Sequence, residues 1–123
     1  MAVLVKSLVA LFFFICVVHG GSSICTNEDL KINQVSTGTQ VGGKAEYEVS
    51  IENTCSCVFV DIILSCDGFQ TQEPIDHSIL NKDGSDCTIN NGNAIAPSST
   101  FKFKYSWDQM YNFSLKNSQI ACS

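Results

Sequence analysis

Beyond the first two dozen residues, apolar side chains recur at every second position, and no stretch of a dozen residues keeps a stripe of helical period. That is the pattern of strands. The clearest run covers 45–52, where Tyr47, Val49 and Ile51 face one way and Glu46, Glu48 and Glu52 the other. A second covers 101–107, where Phe101, Phe103, Tyr105 and Trp107 alternate with Lys102, Lys104 and Ser106. Strands are also expected at 30–35 and 58–66, with shorter ones around 78–80, 87–89, 112–116 and 119–122. The run Val58-Phe59-Val60-Asp61-Ile62-Ile63-Leu64 is the most continuously apolar, which places it in the middle of a sheet with both neighbours paired. Turn-forming clusters separate these runs: Ser36 to Gly43 with its three glycines, Asn81-Lys82-Asp83-Gly84, and Asn90-Asn91-Gly92-Asn93. The pattern predicts an all-β fold, a disulfide-stabilised antiparallel β-sandwich of about 7–8 short strands.

The N-terminus follows a different rule. Lys6 precedes an apolar run that contains Phe12, Phe13 and Phe14, and Val18-His19-Gly20 places small or modest residues after it. This predicts a secretory signal over 1–20, cleaved between Gly20 and Gly21, ahead of a single cysteine-rich domain over 21–123. A membrane-spanning helix needs about 20 apolar residues, so the run is too short, and the expected product is secreted and extracellular, with no membrane insertion after signal removal. The full chain carries a formal charge of −5, and losing Lys6 makes the remainder more acidic. Nucleic acids and anionic membrane surfaces would repel it.

Of the 7 cysteines, Cys16 lies in the signal. The six that remain, Cys25, Cys55, Cys57, Cys66, Cys87 and Cys122, form an even set in an oxidising compartment, so three disulfides are expected. A domain this small buries a limited core, and each cross-link adds roughly 2–4 kcal/mol. Metal binding is not expected, because Cys55-Ser56-Cys57 lacks the spacing of a zinc knuckle. A bridge between Cys55 and Cys57 is excluded, since alternate residues of a strand lie about 6.6–6.8 Å apart with parallel side chains. That leaves roughly a dozen of the fifteen pairings open.

Catalytic chemistry has little to work with. His77 is the one histidine beyond the signal, its neighbour Ser78 points to the opposite face of an extended chain, and no nucleophile elbow occurs. Asp61, Asp67, Glu73, Asp76, Asp83 and Asp86 could pair as the two carboxylates of a glycosidase, but a solvated acidic surface is the simpler reading. No catalytic residue and no cofactor is expected, and the protein is read as not an enzyme. The aromatic alternation through Tyr105 and Trp107 has two readings. Phe101 and Phe103 alternate with lysines as core residues would, whereas Tyr105 and Trp107, near the break at Asp108, are candidate contact residues for a protein or a cell-wall glycan. Asn112-Phe113-Ser114 is a candidate N-glycosylation site at Asn112, and Asn53-Thr54-Cys55 is only the rare cysteine variant.

Several elements occur in order: Cys25; Tyr47-x-Val49-x-Ile51-x-Asn53-x-Cys55; Leu64-Ser65-Cys66-x-x-Phe69; Asp86-Cys87 followed by Asn90 to Gly92; Phe101-x-Phe103-x-Tyr105; and Cys122. Together they resemble the plant tapetum determinant family of small secreted cysteine-rich proteins. The single residue between Cys55 and Cys57 resembles a short-gap branch of that family. The resemblance implies an apoplastic signalling ligand of a leucine-rich-repeat receptor kinase in anther and tapetum cell fate specification. A different class, a carbohydrate-binding module of the cell wall, is the alternative, and a small hydrolase is the third.

Overall fold

Gly42 and Gly43 both take positive φ, 59° and 80°, the two-residue turn whose twist suits an antiparallel hairpin. They join β1 (Leu30–Val41) to β2 (Lys44–Asn53), whose register runs from Leu30 opposite Asn53 to Val41 opposite Lys44. The remaining strands are β3 (Val58–Ser65), β4 (Leu80–Asp83), β5 (Asp86–Ile89), β6 (Thr100–Trp107) and β7 (Ser114–Ala121). The computed structural model describes residues 25–122, so the expected signal over 1–20, its cleavage point at Gly20 and Gly21, and Cys16 lie outside the described residues.

Among the described residues, seven strands form two antiparallel sheets, ordered β1-β2-β6 and β4-β5-β3-β7. The all-β sandwich expected from the periodicity is therefore the fold. Every second residue of β2 and β6 points inward, and Val49, Ile51 and Tyr105 are fully buried. Phe59, Ile62 and Leu64 of β3 and Ile89 of β5 meet them from the other sheet. Burying a side chain of this kind contributes about 1.5–3 kcal/mol.

β3 does lie mid-sheet, between β5 and β7. Its continuous apolar run arises from a bulge, not from burial of both faces. Asp61 has a φ of 51° and the register with β7 shifts between Val60 and Ile63, so Phe59 and Ile62 both face the core.

Three expected boundaries move. The 36–43 cluster is mostly strand, because β1 continues to Val41 through an irregularity between Ser36 and Gln40. The expected strands 112–116 and 119–122 are one strand, β7. The turn placed at Asn81 to Gly84 falls later, since Asn81, Lys82 and Asp83 are strand and Gly84-Ser85 makes the hairpin with β5.

The cysteines pair as Cys25–Cys55, Cys57–Cys122 and Cys66–Cys87, with Cα atoms 5.9, 4.8 and 5.9 Å apart. The first ties the entry of β1 to the end of β2, the second joins β3 to the end of β7, and the third joins the end of β3 to β5. Closing sequence separations of 30, 65 and 21 residues removes about 3–4 kcal/mol of unfolded-chain entropy per bridge.

Two short sequence elements set the corners. The Asn53 amide is fully buried where the chain leaves β2. Its Nδ2 donates to the carbonyls of Cys57 (2.8 Å) and Ile95 (2.9 Å), and its Oδ1 accepts from the Cys55 N–H (2.9 Å). After β3, the Phe69 N–H donates to the Cys66 carbonyl at 3.0 Å across a turn in which Gly68 supplies a φ of 74°. That turn carries Phe69 into the aromatic core.

Candidate functional site

The aromatic row of β6 faces the core. Tyr105 is fully buried, against the expectation that it serves as a contact residue. Its phase along the strand matches that of Phe103, and Phe69, Phe113 and Tyr47 pack around it with ring centroids 5.2, 5.7 and 5.4 Å away. The Tyr105 hydroxyl donates to Gln34 Oε1 (2.5 Å) and accepts from the Tyr111 N–H (2.8 Å), while Gln34 Nε2 donates to the Tyr111 carbonyl (2.6 Å). Burial pushes the Tyr105 phenol above its ordinary pKa. The buried Tyr105 ring is closed to sugar stacking, which leaves Trp107 of the two expected contact residues.

Trp107 closes the row and stays half-buried. Lys44 Nζ sits 5.3 Å from the ring centroid and 2.5 Å from Asp108 Oδ1, so a cation covers part of the indole. Met110, beyond it, is exposed. Asn112 is also exposed, while Phe113 beside it is buried, so the glycosylation motif presents its acceptor to solvent. The buried Asn53, by contrast, has its amide fully engaged.

The opposite face of β2 and β6 holds what the alternation missed. Glu46, which the alternation places on the face opposite Tyr47, Val49 and Ile51, is buried, and its cross-strand partner Ser106 is fully buried. The cause is a long-range one. The 70–76 segment between β3 and β4 crosses the open edge of β6 and lies over these residues. Gln72 N–H donates to the Ser106 carbonyl (2.7 Å), Ser106 N–H to Thr71 Oγ1 (3.1 Å), and Glu73 N–H to Ser106 Oγ (3.0 Å). Gly42 admits the strap, since a Cβ there would stand 2.5 Å from Gln72 Cγ.

Under the strap, the Glu46 and Glu73 carboxyls are in hydrogen-bond contact. Thr37 Oγ1 donates to Glu46 Oε1 at 2.8 Å, and Glu73 Oε1 is buried without a hydrogen-bond partner. Desolvation, then the contact with Glu46, raises the Glu73 pKa; the bond from Thr37, then that from Glu73, lowers the Glu46 pKa. Next to the pair runs a cleft of about 330 Å³ with Phe103 and Ile75 in its walls and Glu48, Asp76, Lys102 and Lys104 around it.

The six carboxylates singled out by sequence do not gather at one place: Glu73 and Asp76 line the cleft, and Asp83 faces Asp86 across the β4–β5 hairpin. Asp61 sits in the β3 bulge, Asp67 in the turn before Phe69, Asp83 at the β4 hairpin, and Asp86 pairs with Lys116. Glu73 meets Glu46, a residue outside that set. Glycosidase carboxyls stand about 5 Å or more apart to hold the scissile bond, whereas these two touch. His77 is exposed, and the Ser78 hydroxyl donates to Asp76 Oδ1 (2.7 Å), a bond that holds the Asp76 carboxyl below its usual range. Cys25, Cys57 and Cys122 have sulfurs within 4.8 Å of one another, but all three are held in disulfides, so they do not offer thiolates to a metal.

A family profile described as "Tapetum determinant 1, C-terminal" matches residues 26–123. The chain belongs to that family. TPD1 protein homolog 1 of Arabidopsis thaliana is 26% identical over 101 residues, covering 80% of this chain and 55% of the relative. TPD1 protein homolog 1B of Oryza sativa subsp. japonica is 29% identical over 100 residues, covering 80% and 58%. The chain thus spans little more than half the length of these curated relatives. No solved structure matches it. The elements that carried the tapetum determinant resemblance are structural ones: Asn53-x-Cys55 builds the corner between the sheets, and Leu64-Ser65-Cys66-x-x-Phe69 builds a core strand, a disulfide and a turn.

Proposed function

We propose that this tapetum determinant family member is a secreted, non-enzymatic signalling ligand, read through its outer surface by the ectodomain of a leucine-rich-repeat receptor kinase in the apoplast, in cell fate specification of the anther. The observation that carries the reading is membership of the family over residues 26–123, in a domain whose cysteines are all used as cross-links. A sandwich locked in this way loses little conformational entropy on docking, which suits a protein recognised as a preformed surface. Leucine-rich repeats offer an extended concave face able to hold a small domain.

Secretion is part of the same proposal. It rests on the 1–20 segment and on three disulfides, which persist in oxidising compartments. The test is capture of the secreted, fully oxidised protein by a panel of receptor-kinase ectodomains, read by biolayer interferometry. Sub-micromolar binding to one or a few of them is the expected result. No binding to any ectodomain, together with retention on cellulose or pectin, would replace the ligand reading with the carbohydrate-binding one. Recovery of the protein from cytosol with its first twenty residues attached would overturn secretion.

A further inference from the structure

We propose that Glu46 and Glu73 hold a single proton between them, and that this proton fastens the 70–76 strap onto the outer face of the β1-β2-β6 sheet as a pH-sensitive clasp. The inference does not depend on the receptor reading. Its geometry comes first. Glu73 is delivered to the sheet by its own N–H, bonded to Ser106 Oγ at 3.0 Å, and Ser106 lies directly across the strand pair from Glu46. Thr37 already donates to Glu46 Oε1, so Glu46 is the natural acceptor, and Glu73 is the group that brings a proton. Two touching carboxylates cannot both be ionised at low cost in a partly desolvated site. If both were charged, the buried and unpartnered Glu73 Oε1 would add an uncompensated anion beside a second one.

The charged surroundings do not remove the effect. Lys104 on β6 attracts both carboxylates, and Glu48 on β2, with Lys102 of β6 at 4.0 Å, lies further along the same face. Asp76 on the strap lines the adjoining cleft, and β1 faces the pair with the uncharged Thr37. The two carboxyls move in opposite directions from the ordinary 4.5. Glu73, raised in the folded state, contributes stability that is full at low pH and is lost as pH rises through its folded value. Glu46, lowered, contributes stability that is present above its unfolded value and is lost as pH falls through its folded value. The one-proton clasp occupies the window between them, and alkalinisation opens it.

Opening frees the Gln72 and Glu73 amides, so hydrogen exchange of the intact oxidised protein reads the strap directly. After correction for the intrinsic rate, protection of these two amides should fall as pH rises above the ordinary glutamate value, by about tenfold for each unit of pKa difference between closed and open strap. The Asn53 amide, bonded to the Ser99 carbonyl in the interior, should keep its protection and so report that the fold is intact. Glu73→Gln carries a permanent donor and should hold the strap closed throughout, and Glu46→Gln should do the same toward the Glu73 carboxylate. Glu73→Ala should leave the strap poorly protected even at the acid end. Carbon-detected titration of wild type should show two coupled carboxyl steps on either side of the ordinary glutamate value. Both glutamates titrating independently near 4.5, or Glu73→Gln losing protection with the same pH profile as wild type, would overturn the proposal.

Discussion

Replacing Asn53 with alanine tests the corner at which the chain passes from one sheet to the other. The amide is fully buried and makes three hydrogen bonds of 2.8 to 2.9 Å. The Ile95 carbonyl would keep a second donor, the Phe59 N–H at 3.2 Å, but the Cys55 N–H and the Cys57 carbonyl would lose the partner that Asn53 supplies. Each buried group left unsatisfied costs about 1–3 kcal/mol. With Cys57 only partly buried, the sum comes to about 3–4 kcal/mol, a large share of the roughly 5–15 kcal/mol that holds a domain folded. Urea denaturation of the oxidised protein, followed by Trp107 fluorescence and far-UV circular dichroism, should show the midpoint falling by about 2 M at an ordinary slope. Asn53→Asp sharpens the test, because it keeps the acceptor for Cys55 while turning an anion toward two carbonyl oxygens. It should be at least as destabilising at neutral pH and recover part of the loss in acid, where the protonated carboxyl regains a donor. A change below about 1 kcal/mol for Asn53→Ala, or wild-type stability of Asn53→Asp at neutral pH, would refute the reasoning.

Proteolytic mapping of the oxidised protein should return peptides joined as Cys25–Cys55, Cys57–Cys122 and Cys66–Cys87, and removing the last pair together should cost about 3 kcal/mol by denaturant titration. Tyr105→Phe should lose about 1–2 kcal/mol, because the Tyr111 N–H and Gln34 Oε1 lose their shared partner. Neither Tyr105→Phe nor Trp107→Ala should alter retention on cellulose or pectin; a folded Trp107→Ala protein that loses such retention would restore the sugar platform. Asn112→Gln should abolish any glycan mass on the secreted protein while changing stability by no more than about 0.5 kcal/mol, and glycan found on Asn53 instead would contradict its burial.

How far the chain could be read without coordinates depended on whether the deciding contact was local. Alternation in β2 and β6 is a property of neighbouring residues, so the inward face was legible, and Tyr105 could have been placed in the core by its phase with Phe103. The break at Asp108 obscured this, although Tyr105 lies well inside the strand. β4 was displaced because Asn81, Lys82 and Asp83 have turn composition, yet an edge strand tolerates polar and charged side chains and is better protected with them. The Ser36 to Gln40 stretch looked like a loop for the same compositional reason, and its pairing with β2 holds it in the sheet. The Cys57–Cys122 and Cys66–Cys87 bridges lay beyond local reading, since they follow from β3 lying between β5 and β7. Glu46 shows the limit most clearly: nothing in Lys44-Ala45-Glu46-Tyr47 signals burial, which comes from a segment more than twenty residues later folding around the β6 edge. The one sequence signal was Gly42, whose lack of a side chain admits Gln72, and it reads equally well as an ordinary hairpin glycine. Recognition elements such as Asn53-x-Cys55 therefore mark corners and core positions, whereas the burial of Glu46 is set by a strap that carries none of them.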